Sequence, residues 1–171
     1  MPAIHPDRLR SLERALHAQI PLTRFMDVRV LRFDAKGLVL GAALTPNLNH
    51  KMTAFGGSLN SLATLACWGM VQLLCIPERH GAITVVIQQS QVQFLKPVTQ
   101  DFEAICPLPS EPTSEKFLRS LERKGRARLE LEASISANAE IALRFHGQFV
   151  AYDAQRFQAF EPDSLITRQP T

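Results

Sequence analysis

Residues 59–76 are apolar on nearly every side of a helix, so any fold this chain adopts has to surround them. The segment approaches the length of a membrane span, which needs about twenty mostly apolar residues. It is interrupted, however, by Asn60, Ser61, Thr64 and Gln72, and Pro77 closes it. The segments that follow read as strands able to wrap it, so the expectation is a buried helix in a soluble domain and no membrane span. Ahead of the helix runs a polar loop, Asn47-Leu48-Asn49-His50-Lys51-Met52-Thr53-Ala54-Phe55-Gly56-Gly57-Ser58. Two glycines at a helix start let a ligand approach the backbone closely. The first-turn N–H groups there have no intrahelical partner and lie at the positive end of the helix dipole. Such a terminus suits a carbonyl oxygen that becomes negative during reaction, and it reads as an oxyanion site.

The remaining elements follow from periodicity. Pro6-Asp7 opens a helix to about Gln19, with Leu9, Leu12, Leu16 and Ile20 on one face. Residues 27–33 read as a strand, Ala35-Lys36-Gly37 as a turn, and Leu38, Leu40, Ala42 and Leu44 as a second strand. A long β-rich run covers 83–98, and a shorter strand 101–106. Pro107 to Thr113 forms a proline-rich connector, expected to be mobile. A short helix is predicted over 114–124, with Phe117, Leu118 and Leu121 inward and Gly125 as its stop. Leu129, Leu131, Ala133 and Ile135 alternate on one face of the next strand. Ile141, Leu143, Phe145 and Phe149 do so on the last, after a turn at Asn138. The expectation is an α+β domain over 1–154, a long central helix wrapped by a curved antiparallel sheet with an N-terminal helix added. A polar tail, anchored at Phe157 and Phe160, follows over 155–171.

Composition excludes some functions. Of the 171 residues 46% are hydrophobic and 20% charged, an ordinary balance for one domain with a real core. The net charge of +3 fits an anionic ligand or acidic partner. No basic run interleaves with aromatics, so nucleic acid is not expected. Cys67, Cys75 and Cys106 are odd in number and lack metal-ligand spacing, which points to buried thiols in a reducing compartment. The charged N-terminal residues Asp7, Arg8, Arg10, Glu13 and Arg14 do not read as a signal peptide, and the cytoplasm is the expected location. No metal or cofactor is called for.

Several motifs together resemble one family. They are the loop above with Leu59 and Ser61-Leu62-Ala63, then Phe94-Leu95-Lys96-Pro97-Val98, Asp101-Phe102 and Lys124-Gly125-Arg126-Ala127. The chain resembles the YiiD C-terminal family of thioesterase-like hotdog proteins over roughly residues 8–152. The resemblance implies the hotdog fold and a site for acyl groups held as thioesters of coenzyme A or acyl carrier protein. It also implies a homodimer or a dimer of dimers, because a hotdog sheet commonly extends across a two-fold pair. One departure stands out. Many hotdog thioesterases carry His-Gly-Gly where this chain has Phe55-Gly56-Gly57, and an acidic residue about nine positions later, which counts to Thr64.

Candidate site residues follow. Gly56 and Gly57 would supply the oxyanion donors. Asn49 would bond the substrate carbonyl or orient water, or it would only cap its loop. His50 is the histidine beside the glycine loop and a natural proton handler. Ser58, Ser61 and Thr64 fall three apart on one helical stripe, with Asn60 beside Thr64. Ser58 could equally cap the helix, and Thr64 could bond back to the preceding turn. Phe55, Gln89, Ser90 and Arg126 complete the candidate substrate contacts. Arg119, Arg123, Lys124, Arg126 and Arg128 form a basic group suited to phosphates, or a solvated face paired with Glu122, Glu130 and Glu132. Three functions fit: thioester hydrolysis, decarboxylation of a malonyl-type thioester at the same oxyanion site, and acyl-thioester binding without catalysis. Hydrolysis is the expectation.

Overall fold

The computed structural model describes residues 6–75 and 83–154. Its elements in order are α1 (Pro6–Gln19), α2 (Leu22–Phe25), β1 (Arg29–Asp34), β2 (Gly37–Ala42), a 3-10 turn (Thr45–Asn47), α3 (Gly56–Leu74), β3 (Ile83–Phe94), β4 (Phe102–Cys106), α4 (Glu111–Lys124), β5 (Arg126–Ala137) and β6 (Glu140–Asp153). The strands form one antiparallel sheet in the order β1-β2-β4-β5-β6-β3. α3 lies against β2, β3, β4, β5 and β6, so the apolar segment is the core of the molecule. This is the hotdog architecture. α3 ends at Leu74 with Cys75 already extended at ψ 119°, short of the expected run to Ile76. Pro77 and the tail anchors Phe157 and Phe160 lie outside the described residues.

The core is built from the alternations read in the sequence. Leu62, Met70 and Val71 of α3 are fully buried, as are Leu38 and Leu40 of β2 and Ile135 of β5. Burying each such side chain contributes about 1.5–3 kcal/mol. α1 closes one end of the cluster with Leu12 and Leu16. It is pinned at two points: Arg8 donates to the Leu73 carbonyl at 3.0 Å, and the Glu13 carboxylate accepts from the Val30 N–H at 2.8 Å. The first bond satisfies one of the carbonyls that the end of α3 leaves open.

Among the differences from expectation are three boundaries and one face. β2 ends at Ala42 because Leu44 opens the 3-10 turn, and its N–H is taken by the Asp101 carboxylate at 2.8 Å. β3 ends at Phe94, not at Val98, since Pro97 has no N–H for a ladder. α4 begins at Glu111, three residues early, because Pro112 fits the first turn of a helix. Ile141 does not share the inward face of β6 and stands 38% exposed. There the register moves from Ile135↔Leu143 to Ser136↔Ile141, so Ala142 and Leu143 both turn inward and Ile141 turns out.

α4 takes the place of a strand. β4 pairs with β5 only at Ala104↔Ile135 and Ile105↔Ser134, and the first half of β5 would otherwise be an open edge. The helix runs back along that half with Phe117 and Leu121 buried, and Gly125 ends it at φ 68°.

Candidate active site

The loop before α3 is cinched by its own side chains. Leu48 and Ala54 form an isolated antiparallel bridge, and Asn49 N–H donates to the Thr53 carbonyl at 2.8 Å. The Asn49 amide Nδ2 donates to Thr53 Oγ1 at 2.9 Å and to the Ala54 carbonyl at 3.3 Å. Its Oδ1 accepts from the N–H groups of Lys51 at 2.7 Å and Thr53 at 3.3 Å. Both donors and both lone pairs are therefore engaged within the loop. The Phe55 N–H donates to the Asn47 carbonyl and the Ala54 N–H to the Val98 carbonyl, each at 2.7 Å, which fixes the entry into α3. Asn47 itself is 2% exposed and its amide bridges the carbonyls of Met26 and Ala43.

α3 begins without a side-chain cap. Phe55 is the N-cap residue and has no side-chain oxygen, and Ser58 does not fill the role. Among the described residues the N–H groups of Gly56, Gly57 and Ser58 have no hydrogen-bond partner. Three donors thus point out of a helix N-terminus. Two phenyl rings flank them. The edge of Phe94 comes within 3.3 Å of where a Cβ on Gly56 would stand, and a Cβ on Gly57 would fall inside the edge of the Phe55 ring. Both rings are more than half exposed. Phe94 was missed as a site residue; its only sequence signal was membership of the Phe94–Val98 motif.

Ser58, Asn60, Ser61 and Thr64 lie half-buried along the face of α3 that the sheet leaves uncovered. Thr64 Oγ1 donates to the Asn60 carbonyl at 2.9 Å, the back-bond to the preceding turn. The Asn60 side-chain oxygen is buried and has no partner among the described residues. His50 is exposed beside Lys51, and these two with the Cys67 thiol are the only ionisable side chains of residues 47–74. Cys67 is no nucleophile: burial, then a hydrogen bond with Cys106, pushes its thiol well above the ordinary value. Burial alone pushes the Cys75 thiol up to about 12. All three cysteines are free.

The fold of one chain does not bring every candidate together. Gln89 and Ser90 stand exposed in the middle of β3, whose far edge pairs with no strand among the described residues. Arg126 registers with Tyr152 and through it with Thr84, whereas Phe94 beside Gly56 registers with Leu143 and Ile135. Arg126 therefore sits nine residues down β5, about 30 Å along the sheet from the helix start. Among the described residues no three His, Cys, Asp or Glu side chains are grouped to hold a metal. No described helix is long and apolar enough to cross a membrane.

Comparison with known proteins places this geometry in a family. The family described as "Putative thioesterase (yiiD_Cterm)" matches residues 9–153. A Chlorobaculum tepidum protein solved without a known function is 32% identical, with a TM-score of 0.80 over 90% of this chain and 99% of its own. A "putative thioesterase" from Shewanella oneidensis is 28% identical, with a TM-score of 0.76 over 87% of this chain and 100% of its own. A thioesterase from Haemophilus influenzae shares the fold at 12% identity, TM-score 0.65, over 85% of this chain and 90% of its own. The match spans nearly the whole described domain, and the chain belongs to the YiiD C-terminal family of thioesterase-like hotdog proteins.

Proposed function

We propose that this protein hydrolyses acyl thioesters of coenzyme A or acyl carrier protein, with the N-terminus of α3 as the oxyanion hole. The observation that carries the reading is the set of three unpartnered N–H groups at Gly56, Gly57 and Ser58, in a fold whose family is thioesterase-like. The carbonyl oxygen accepts from Gly57 and its neighbours, and charge that develops there is stabilised by donors already in place. Water adds to the carbonyl carbon, the carbon–sulfur bond breaks, and the thiolate leaves and takes a proton. Thr64 and Asn60 orient the water from the uncovered face of α3, with Ser61 beside them. His50 accepts its proton. Asn49 acts through the loop it saturates and holds Phe55 and the glycines in position. Phe55 and Phe94 offer apolar walls to the acyl chain.

β3 supplies the reason to expect a pair. Among the described residues it is a 12-residue edge strand, with Val86 43% and Ile87 40% exposed. An open edge of that length is a template for a second copy. Antiparallel β3–β3 pairing would bring Gln89 and Ser90 to the two-fold axis, and two such dimers could associate further. The cytoplasm is the proposed compartment, in keeping with three free thiols.

A second reading is favoured by one observation: α3 carries no carboxylate and no histidine. Decarboxylation of a malonyl thioester needs no base to create a nucleophile. The bond to the carboxylate carbon breaks, carbon dioxide leaves, and the electron pair moves into an enolate whose oxygen the same N–H groups hold. A proton then completes the acetyl thioester. Incubation with acetyl-, octanoyl- and malonyl-coenzyme A, with products identified by mass spectrometry, separates these readings. Free coenzyme A from the acetyl or octanoyl ester is the expected result. Acetyl-coenzyme A formed only from the malonyl ester would replace hydrolysis by decarboxylation, and silence on coenzyme A and carrier-protein esters alike would leave a binder.

A further inference from the structure

α4 and the start of β5 hold the entire charge excess of the chain. Residues 111–128 contain six cations, Lys116, Arg119, Arg123, Lys124, Arg126 and Arg128, against the carboxylates of Glu111, Glu115 and Glu122. The rest of the chain balances at thirteen of each sign. Arg119 pairs with Glu115 at 3.2 Å, one turn apart on α4. Lys116, Arg123 and Lys124 are exposed and have no ion-pair partner among the described residues. With Arg119, Ser120 and Glu122 they line an open groove of about 610 Å³ along the solvent side of the helix. Arg123 and Lys124 also complement the negative end of the helix dipole, but Lys116, two turns earlier, does not.

The shape of this face selects its occupant. From Lys116 to Lys124 it runs eight residues, about 12 Å of helix. No aromatic or apolar side chain lines the groove, so a nucleotide base finds nothing to stack on. A long, shallow, cationic helix face matches an acidic protein surface, where complementary charge steers encounter and fixes orientation. The end of the sheet it occupies matters as well. Within one chain it lies about 30 Å from Gly57. In an antiparallel pair formed through the middle of β3 the ends are exchanged, and the second copy's helix start comes level with Thr84, Tyr152 and Arg126. That is about three strand spacings, or about 14 Å, across the sheet from β5.

We propose that the basic face of α4 docks an acidic carrier protein whose thioester arm enters the site of the other copy. The inference rests on the thioester reading above and names the form in which the substrate arrives. The test is direct binding. A purified acidic acyl carrier protein in its holo form is titrated into the fluorescently labelled protein at low salt. The same is done for Lys116→Glu/Arg123→Glu/Lys124→Glu, and for the milder triple glutamine variant with its fold checked by circular dichroism. The reversed variant is expected to bind at least tenfold more weakly and the glutamine variant to fall between. Added salt should weaken the wild type most, and octanoyl-coenzyme A turnover should be unchanged in all three. Equal binding by all proteins, or no binding by the wild type, overturns the proposal. A raised KM for octanoyl-coenzyme A with unchanged carrier affinity also overturns it and assigns the cations to nucleotide phosphates. Loss of carrier binding in a protein that cleaves no thioester would sustain the docking face and bring down the hydrolase reading.

Discussion

Gly57 and Asn49 carry different loads in the same turn of chain. A methyl group on Gly57 cannot be accommodated without moving the Phe55 ring that covers it. Gly57→Ala should therefore lower kcat/KM by tenfold or more, about the cost of misplacing one oxyanion donor, while the thermal midpoint moves little. An unchanged rate would remove the helix start from the chemistry. Asn49→Ala strands the part-buried Thr53 N–H and Ala54 carbonyl, while the exposed Lys51 N–H turns to water, so stability should fall by about 1–3 kcal/mol together with activity. Denaturant melts and steady-state rates on one preparation check both. A rate loss with full stability would show that Asn49 touches substrate after all. The sequence left Asn49 open between these roles because residue type and neighbours do not reveal whether an amide's four bonding positions are filled. Cys75 gives a pH prediction. Its thiol keeps its proton in the folded protein up to about 12, against an ordinary thiol value of 9.0. Its contribution is complete below pH 9 and is lost as pH rises towards 12, by up to about 1.4 kcal/mol per pH unit. Urea melts at pH 8 and pH 10.5 should show a smaller alkaline loss in Cys75→Ala than in the wild type.

At the scale of elements, what was legible is what local spacing controls. The Lys124-Gly125 stop was readable because a left-handed position after a helix favours glycine. Gly125 takes that conformation at φ 68°, its N–H closing on the Leu121 carbonyl at 2.8 Å. Gly125→Ala should cost about 1 kcal/mol, measured as a lower thermal midpoint with unaltered activity. A loss of activity at full stability would instead mean that the α4–β5 corner takes part in the reaction. Ile141 was misjudged because the bulge at Ala142 arises only when β6 is laid against β5, and strict alternation cannot show it. The edge position of β3 was equally hidden. Its glutamines were readable as polar, but being solvated and facing a partner give the same pattern.

The whole molecule turns on a core built around α3 and a sheet whose β3 edge no described strand covers. The apolar segment fixed the architecture because burying α3 requires strands on several sides, and α3 indeed touches five of them. Distances between site candidates were beyond the sequence: Arg126 is close to Gly57 only if two copies reverse the ends of the sheet. The pairing can be broken without touching the core. Ile87 lies within two residues of the midpoint of β3 and is 40% exposed, so in an antiparallel pair centred there two copies of it come close to the axis. Ile87→Lys would set like charges near one another across the two strands, which is how natural edge strands avoid pairing. Light scattering after size exclusion should find wild-type protein at twice the chain mass and Ile87→Lys at the mass of one chain. Its far-ultraviolet circular dichroism should be unchanged, because β3 keeps its ladder with β6. Activity should fall with the dimer, since the uncovered face of α3 would lose its facing copy. A wild type that runs as a single chain at micromolar concentration would refute the pairing, and a monomeric Ile87→Lys with full activity would show that each chain holds a complete site.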